Sequence, residues 1–134
     1  MKVFIGGSKS IRQLTPYMLS IIDRLCENGH SILVGDCFGV DRLVQEHLAH
    51  KGYDKVTVFA SGSTVRNNAG GFPVCMVDAG ETSGFEFYRK KDREMAERAD
   101  IAVMFWDGKS KGTWHNIIDM QRLGKFTLIV EKRR

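Results

Sequence analysis

Two segments of this 134-residue chain end an apolar run in glycine, serine and lysine. The first, KVFIGGSKS, carries Gly6, Gly7, Ser8 and Lys9. The second, VMFWDGKSKGTW, carries Asp107, Gly108, Lys109, Ser110, Lys111, Gly112 and Thr113. Such chemistry suits a phosphate: glycine admits an anion to the backbone, N–H and hydroxyl groups donate, and lysine adds charge. The second segment opens directly into a helical pattern, whose start offers unpaired N–H groups and the positive end of the macrodipole. Neither segment has Walker spacing or a complete dinucleotide fingerprint, so neither a P-loop nor NAD binding is indicated.

Other residues could join such a site. Gly35-Asp36 and Gly39-Val40-Asp41 follow a further apolar run. In Arg66-Asn67-Asn68 the arginine could grip a phosphate or carboxylate and an asparagine could read a base or ribose edge; a polar turn accounts for them equally well. Asp92 falls on the apolar stripe of its helix and must pair, cap or face a cavity. Lys91 and Arg93, adjacent in sequence, are awkward partners for it, and an edge position reaching solvent is the simpler account. The basic run Arg89-Lys90-Lys91 reads as a solvated helix face, and His47 as a satisfied core histidine. Cys26, Cys37 and Cys75 are odd in number and lack metal-ligand spacing, so they read as buried free thiols, with no metal site.

The elements that must position these groups follow from periodicity. KVFIGG, SILVGD, KVTVFAS, DIAVMFWDG and FTLIVEK are nearly continuous apolar runs, as in parallel strands covered on both faces. Between them run helical stripes: Met18, Ile21, Ile22 and Leu25; Val40, Leu43, Val44 and Leu48; Phe85, Tyr88, Met95, Ala96 and Ala99; Trp114, Ile117 and Ile118. Thr15 and Pro16 open the first as cap and first residue, and Gly29 closes it. Alternation of this kind predicts an α/β, Rossmann-like, doubly wound domain, with a mainly parallel five-stranded sheet and helices on both faces. The length fits one domain over 1–134. Residues 61–83 form a long polar loop, read as a lid or site wall with at most a short strand in FPVCMV. Residues 131–134 read as a basic tail.

A formal charge of +4 and a pI near 9.1 favour a polyanionic partner only weakly. No run approaches the roughly 20 apolar residues of a membrane span and no signal-peptide pattern opens the chain, so a cytoplasmic protein without membrane partners is expected. In open α/β sheets, ligands bind beyond the C-terminal strand ends where strand order reverses. The expected order makes the loops after the first and fourth runs neighbours, two walls of one crevice.

In order and spacing, GGSKSI at the start, GDCFGVD at 35–41, RNNAGG at 66–71, FYRKKDREMAERAD at 87–100 and WDGKSKGTWHNI at 106–117 resemble the SLOG superfamily, most closely its YspA-like proteins. The resemblance covers nearly the whole chain. It implies a Rossmann-like domain whose glycine-rich loops bind a nucleotide or nucleotide-derived ligand; relatives include the LOG phosphoribohydrolases and the DNA-processing protein DprA. LOG enzymes carry Gly-Gly-x-Gly-Thr-x-x-Glu and an upstream Arg-Lys pair. This chain keeps Gly112-Thr113, places Asn116 where the glutamate would be, and has Lys91 and Asp92 where the Arg-Lys pair would be.

The leading expectation is therefore nucleotide-type ligand binding, with no cofactor required beyond a bound nucleotide. Phosphate would lie against Gly6, Gly7 and Ser8 and the Ser110, Gly112, Thr113 helix start. Asp36 or Asp41 would accept from ribose hydroxyls, and Arg66 would close over the anion. Gly35, Gly39, Asn67, Asp107 and Lys109 complete the expected ligand-binding set. The alternative is an N-glycosidic hydrolase or transferase acting on a nucleotide or nucleoside, with Asp36, Asp41, Asp92 or Asp107 as the catalytic carboxylate. Nucleic-acid binding ranks last because no aromatic platform is legible. A homodimer is compatible with the fold.

Overall fold

The computed structural model describes residues 1–132. Six strands form one sheet: β1 (Lys2–Gly7), β2 (Ser31–Gly35), β3 (Val56–Ser61), β4 (Val74–Val77), β5 (Ile101–Trp106) and β6 (Phe126–Glu131). Their order is β4-β3-β2-β1-β5-β6 and every pairing is parallel. The helices are α1 (Pro16–Glu27), α2 (Val40–Lys51), α3 (Gly84–Arg98) and α4 (Lys111–Arg122).

The expected five-strand sheet is corrected to six. β4 pairs with β3 from Val58↔Val74 to Ser61↔Val77 and occupies the middle of the 61–83 stretch. The short strand allowed in FPVCMV is thus a full member of the sheet; it goes uncounted among the five because it is a four-residue edge strand behind Pro73, half-exposed along its length. That leaves 62–73 and 78–83 as the loops. Of the basic tail, Glu131 closes β6 and the Lys132 N–H bonds the Trp106 carbonyl. Residues 133–134 lie outside the described residues.

Two cores sandwich the sheet. On one face Met18 and Ile22 of α1 and Val40, Val44 and Leu48 of α2 pack with Val3, Ile5, Val34, Val103 and Phe105. On the other, Met95 and Ala96 of α3 and Ile117 and Met120 of α4 pack with Phe4, Phe59, Ala102 and Met104. Local signals set the helix ends as read: the Thr15 hydroxyl accepts from the Met18 N–H at 3.2 Å, and Gly29 turns the chain at φ +72°.

The chain leaves β1 toward β2 on one side and enters β5 on the other. The β1–β5 boundary is thus the point where strand order reverses, and both Gly/Ser/Lys loops emerge there.

Candidate functional site

A cavity of about 320 Å³ opens at this boundary. Gly6, Gly7 and Lys9 come from the β1 end, and Ser110, Gly112, Thr113 and Asn116 from the start of α4. Cys37 and Asp41 come from the β2–α2 turn, Arg66 from the loop after β3, and Phe85, Tyr88, Arg89, Lys91 and Asp92 from α3.

Hydroxyls clasp the two loops. The Ser8 Oγ lies 2.8 Å from the Ser110 Oγ and accepts from the Asp107 N–H at 2.9 Å; the Ser110 hydroxyl donates to the Thr113 Oγ1 at 3.0 Å. Asp107 holds the turn, its Oδ1 accepting from the Lys109 and Ser110 N–H groups at 2.8 Å and its Oδ2 from the Ser10 hydroxyl at 2.6 Å. Burial pushes the Asp107 carboxyl upward, but hydrogen bonds from Ser10, Ser110, Lys109 and Ser8 outweigh it and hold the group at about 2. Asp107 is committed to loop structure. It and Lys109 line a broader opening of about 740 Å³ with Ser10, Arg12 and Lys132, outside the cavity.

Like those of α2 and α3, the α4 N-terminus has no side-chain cap. Its first N–H groups are left to whatever the cavity holds.

The glycines divide by what their missing side chains avoid. A Cβ on Gly7 would lie 2.2 Å from the Phe105 carbonyl oxygen, one on Gly35 would lie 2.5 Å from the Asp41 Oδ2, and one on Gly39 would meet the Lys9 backbone at 2.5 Å. These three serve internal packing, and Gly39 also turns at φ +73°. Gly112 has neither a positive φ nor any atom within 4 Å of its would-be Cβ; no other glycine of the chain combines the two.

Asp36 and Arg66 are spent on each other. The Arg66 guanidinium bonds the Asp36 Oδ1 at 2.8 Å and its own N–H bonds the Oδ2 at 2.9 Å, with Asp36 buried. Arg66 also stacks 4.0 Å over the Tyr88 ring. Asn67 braces the same turn, its amide donating to the Asp36 carbonyl at 2.9 Å. Asp36 therefore has no free face for a ribose, and Arg66 lines the cavity with its charge already paired.

The acids that do line the cavity are Asp41 and Asp92, with Lys91 between α2 and α3. The Lys91 ammonium bonds the Asp92 Oδ1 at 2.6 Å, although the two are sequence neighbours, and Lys91 is buried. Asp92 thus has the partner that adjacency argued against: the lysine side chain folds back because burial leaves it no solvent. Asp41 accepts one backbone bond, from the Cys37 N–H at 3.1 Å. Burial raises its carboxyl to about 7, opposed by the Lys91 charge and assisted by Asp92. Burial works against the Lys91 ammonium, yet Asp92 and Asp41 together raise its pKa. Burial, then Asp41, pushes the Cys37 thiol up, so it stays protonated at neutral pH.

The solvated-face reading of Arg89-Lys90-Lys91 is corrected. Arg89 is buried beside Lys91, its guanidinium on Asp119 at 3.1 and 3.3 Å. Conversely Phe85 and Tyr88, read as core stripe, are exposed. The first turns of α3 overhang the cavity; from Lys91 on, whose N–H bonds the Ser61 hydroxyl of β3 at 3.1 Å, the helix lies on the sheet, with Met95 and Ala96 in the core.

Three of the four buried side-chain polar atoms without a partner among the described residues belong to cavity residues: Arg66 Nε, Arg89 Nε and Asn116 Oδ1. Of the expected site residues, Gly6, Gly7, Asp41, Arg66, Ser110, Gly112, Thr113 and Asp92 meet in the cavity. Ser8, Gly35, Asp36, Gly39 and Asn67 stand behind it as support. Phe4, Lys9, Cys37, Phe85, Tyr88, Arg89, Lys91 and Asn116 also line the cavity, outside the expected set; on α3 the available signal is an aromatic stripe with two cations inside it. The three thiols are half-buried and free, and no group of metal-ligating side chains occurs among the described residues. His47 pairs with Asp23 at 2.7 Å.

No protein-family model matches the chain, and no curated protein matches it in sequence. Among solved structures it is similar to DNA processing protein A from Helicobacter pylori, described for its single-stranded DNA binding mode. The TM-score is 0.73 at 20% identity, covering 99% of this chain and 66% of that one. The chain thus spans just under two thirds of this neighbour, and the likeness establishes a shared Rossmann-like fold. No helix among the described residues is long and apolar enough to cross a membrane.

Proposed function

We propose that the protein binds a phosphorylated nucleoside or related nucleotide-type ligand at the β1–β5 boundary, its phosphate seated on the start of α4. The observation that carries this reading is Gly112. Its missing side chain relieves no internal clash and permits no special turn, yet it keeps open the space beside an uncapped helix N-terminus. The orphaned atoms of Arg66, Arg89 and Asn116 add groups a ligand would satisfy. A volume of about 320 Å³ accommodates one nucleotide-sized molecule. The SLOG resemblance in its YspA-like form belongs to this reading, and the fold shared with DNA processing protein A supports the superfamily.

Calorimetric titration with adenosine 5′-monophosphate, with inorganic phosphate as competitor, tests it. Saturable binding weakened by phosphate is expected, with a rise in Tm that grows with ligand concentration. A flat response across mono-, di-, cyclic and ADP-ribose-type nucleotides overturns it.

Two features favour second readings. The structural neighbour binds single-stranded DNA, and Trp114 and Phe38 are exposed here. An oligonucleotide would bind with steep salt dependence while mononucleotides stay inert. Asp41 and Asp92 favour N-glycosidic cleavage, with Asp36 and Asp107 held in structural roles. Release of free base, abolished by Asp41→Asn or Asp92→Asn, would establish it.

A further inference from the structure

Asn116 has no structural task of its own. It lies within α4, four residues beyond Gly112, with its Oδ1 shielded from water and without a partner. The residue is only 6% exposed and lines the cavity. A buried amide oxygen left unpaired is costly, so a fold with no use for it gains by replacing it with an apolar side chain. Around it, Thr113 is bonded to Ser110, and Arg89 to Asp119 and Glu86.

Position decides what the amide can meet. Residues four apart on a helix share a face, and one turn advances about 5.4 Å. A phosphate on the Gly112 N–H therefore places Asn116 about one turn deeper, beside the atoms that follow the phosphate in the ligand. In a 5′-nucleotide those atoms are the sugar with its 2′- and 3′-hydroxyls; the base is farther away. An amide oxygen only accepts, and the terminal torsion of asparagine is soft enough to turn it toward an incoming donor.

Resting on the phosphate reading above, we propose that Asn116 is the specificity determinant for a sugar hydroxyl, so the site selects ribosyl over dideoxyribosyl 5′-phosphates. A hydroxyl satisfies the orphaned oxygen. A ligand lacking it re-buries the oxygen unpaired, which is the arrangement that discriminates most strongly between otherwise similar ligands. Asp41 and Asp92, at the wall formed by α2 and α3, are the other acceptors a hydroxyl could reach, so the test separates them from Asn116.

The experiment is titration calorimetry with adenosine 5′-monophosphate and its 2′,3′-dideoxy analogue on wild type, Asn116→Leu and Asn116→Asp, with Tm recorded for each protein. Wild type is expected to prefer the ribosyl form by roughly tenfold to a hundredfold, the equivalent of one unsatisfied buried acceptor. Asn116→Leu, similar in volume but unable to accept, loses that preference while still binding the dideoxy form. Asn116→Asp, which accepts, keeps it. Equal affinity of wild type for the two nucleotides overturns the proposal, as does a preference that survives Asn116→Leu. If neither nucleotide binds and phosphate binds no better, the phosphate reading fails and this one with it; equal binding of both sinks the hydroxyl selection alone.

Discussion

The two Gly/Ser/Lys loops look like copies in sequence and do opposite work. In the first, Gly7 lets β1 lie against the Phe105 carbonyl and Val40, and Ser8 reaches across to the second loop. Gly7 and Ser8 are consumed by the protein. In the second, Asp107 fixes the turn, but Gly112 faces open space at an uncapped helix start. One loop builds the wall and the other leaves a vacancy beside it. Residue type shows that a position is permissive; only its neighbours show for whom.

The sharpest way to break this contrast is to give each glycine a side chain. Gly7→Ala forces a methyl against a backbone oxygen, and a loss of about 3 kcal/mol is expected, read as a lower urea midpoint. Gly112→Leu has room for its side chain and replaces a helix glycine, so the urea midpoint should hold or rise. The same change should fill the phosphate space and cut affinity for adenosine 5′-monophosphate by about 100-fold, near 2.7 kcal/mol. If the two variants behaved alike, the division between wall and vacancy would be lost.

A pH series tests the acid that shares the vacancy. Asp41 is raised to about 7 by burial, against 3.8 for an unperturbed carboxyl. Between those values the unfolded chain has released this proton while the folded chain retains it. Stability therefore falls as pH rises through that window and levels off above it. Asp41→Asn should raise Tm relative to wild type at pH 8, with the difference vanishing near pH 4. A constant difference across the series would mean that Asp41 ionises freely.

The smallest effect belongs to the clasp between the loops. Ser8→Ala removes the acceptor of the Asp107 N–H and the partner of the Ser110 hydroxyl, for a loss of about 1 kcal/mol. The affinity for adenosine 5′-monophosphate should fall only severalfold, because α4 keeps its free N–H groups. A loss as large as that of Gly112→Leu would make Ser8 a ligand contact and blur the distinction.

How legible the site was depended on how far away its partners lay. The β1 and β5 runs, the Thr15 cap and the place where both loops emerge were readable because periodicity and capping involve residues a few positions apart. β4 was legible only as a possible short strand, since four apolar residues behind a proline are too few to show that they pair with the sheet. Asp92 was recognisable as an acid on an apolar stripe, but its pairing with Lys91 depends on α3 being packed over the cavity. Arg89 looked solvated because a basic run is ordinarily an exposed face; Asp119, 30 residues on, is what keeps it buried. Asp36 and Arg66 each looked like ligand groups, and their mutual bond across 30 residues removed Asp36 from the site.

The sequence by itself determined five of the six strands, the four helices, the Thr15 cap and the end of the sheet where chemistry collects. Hydrophobic period and local hydrogen bonding act over a few residues, and that is the range a sequence displays. The tertiary structure alone decided which glycine is empty, which carboxylate is spoken for and which amide is left unpaired. Those properties are settled by contacts from distant parts of the chain, by packing and desolvation, and Gly7 and Gly112 carry no local mark of the difference.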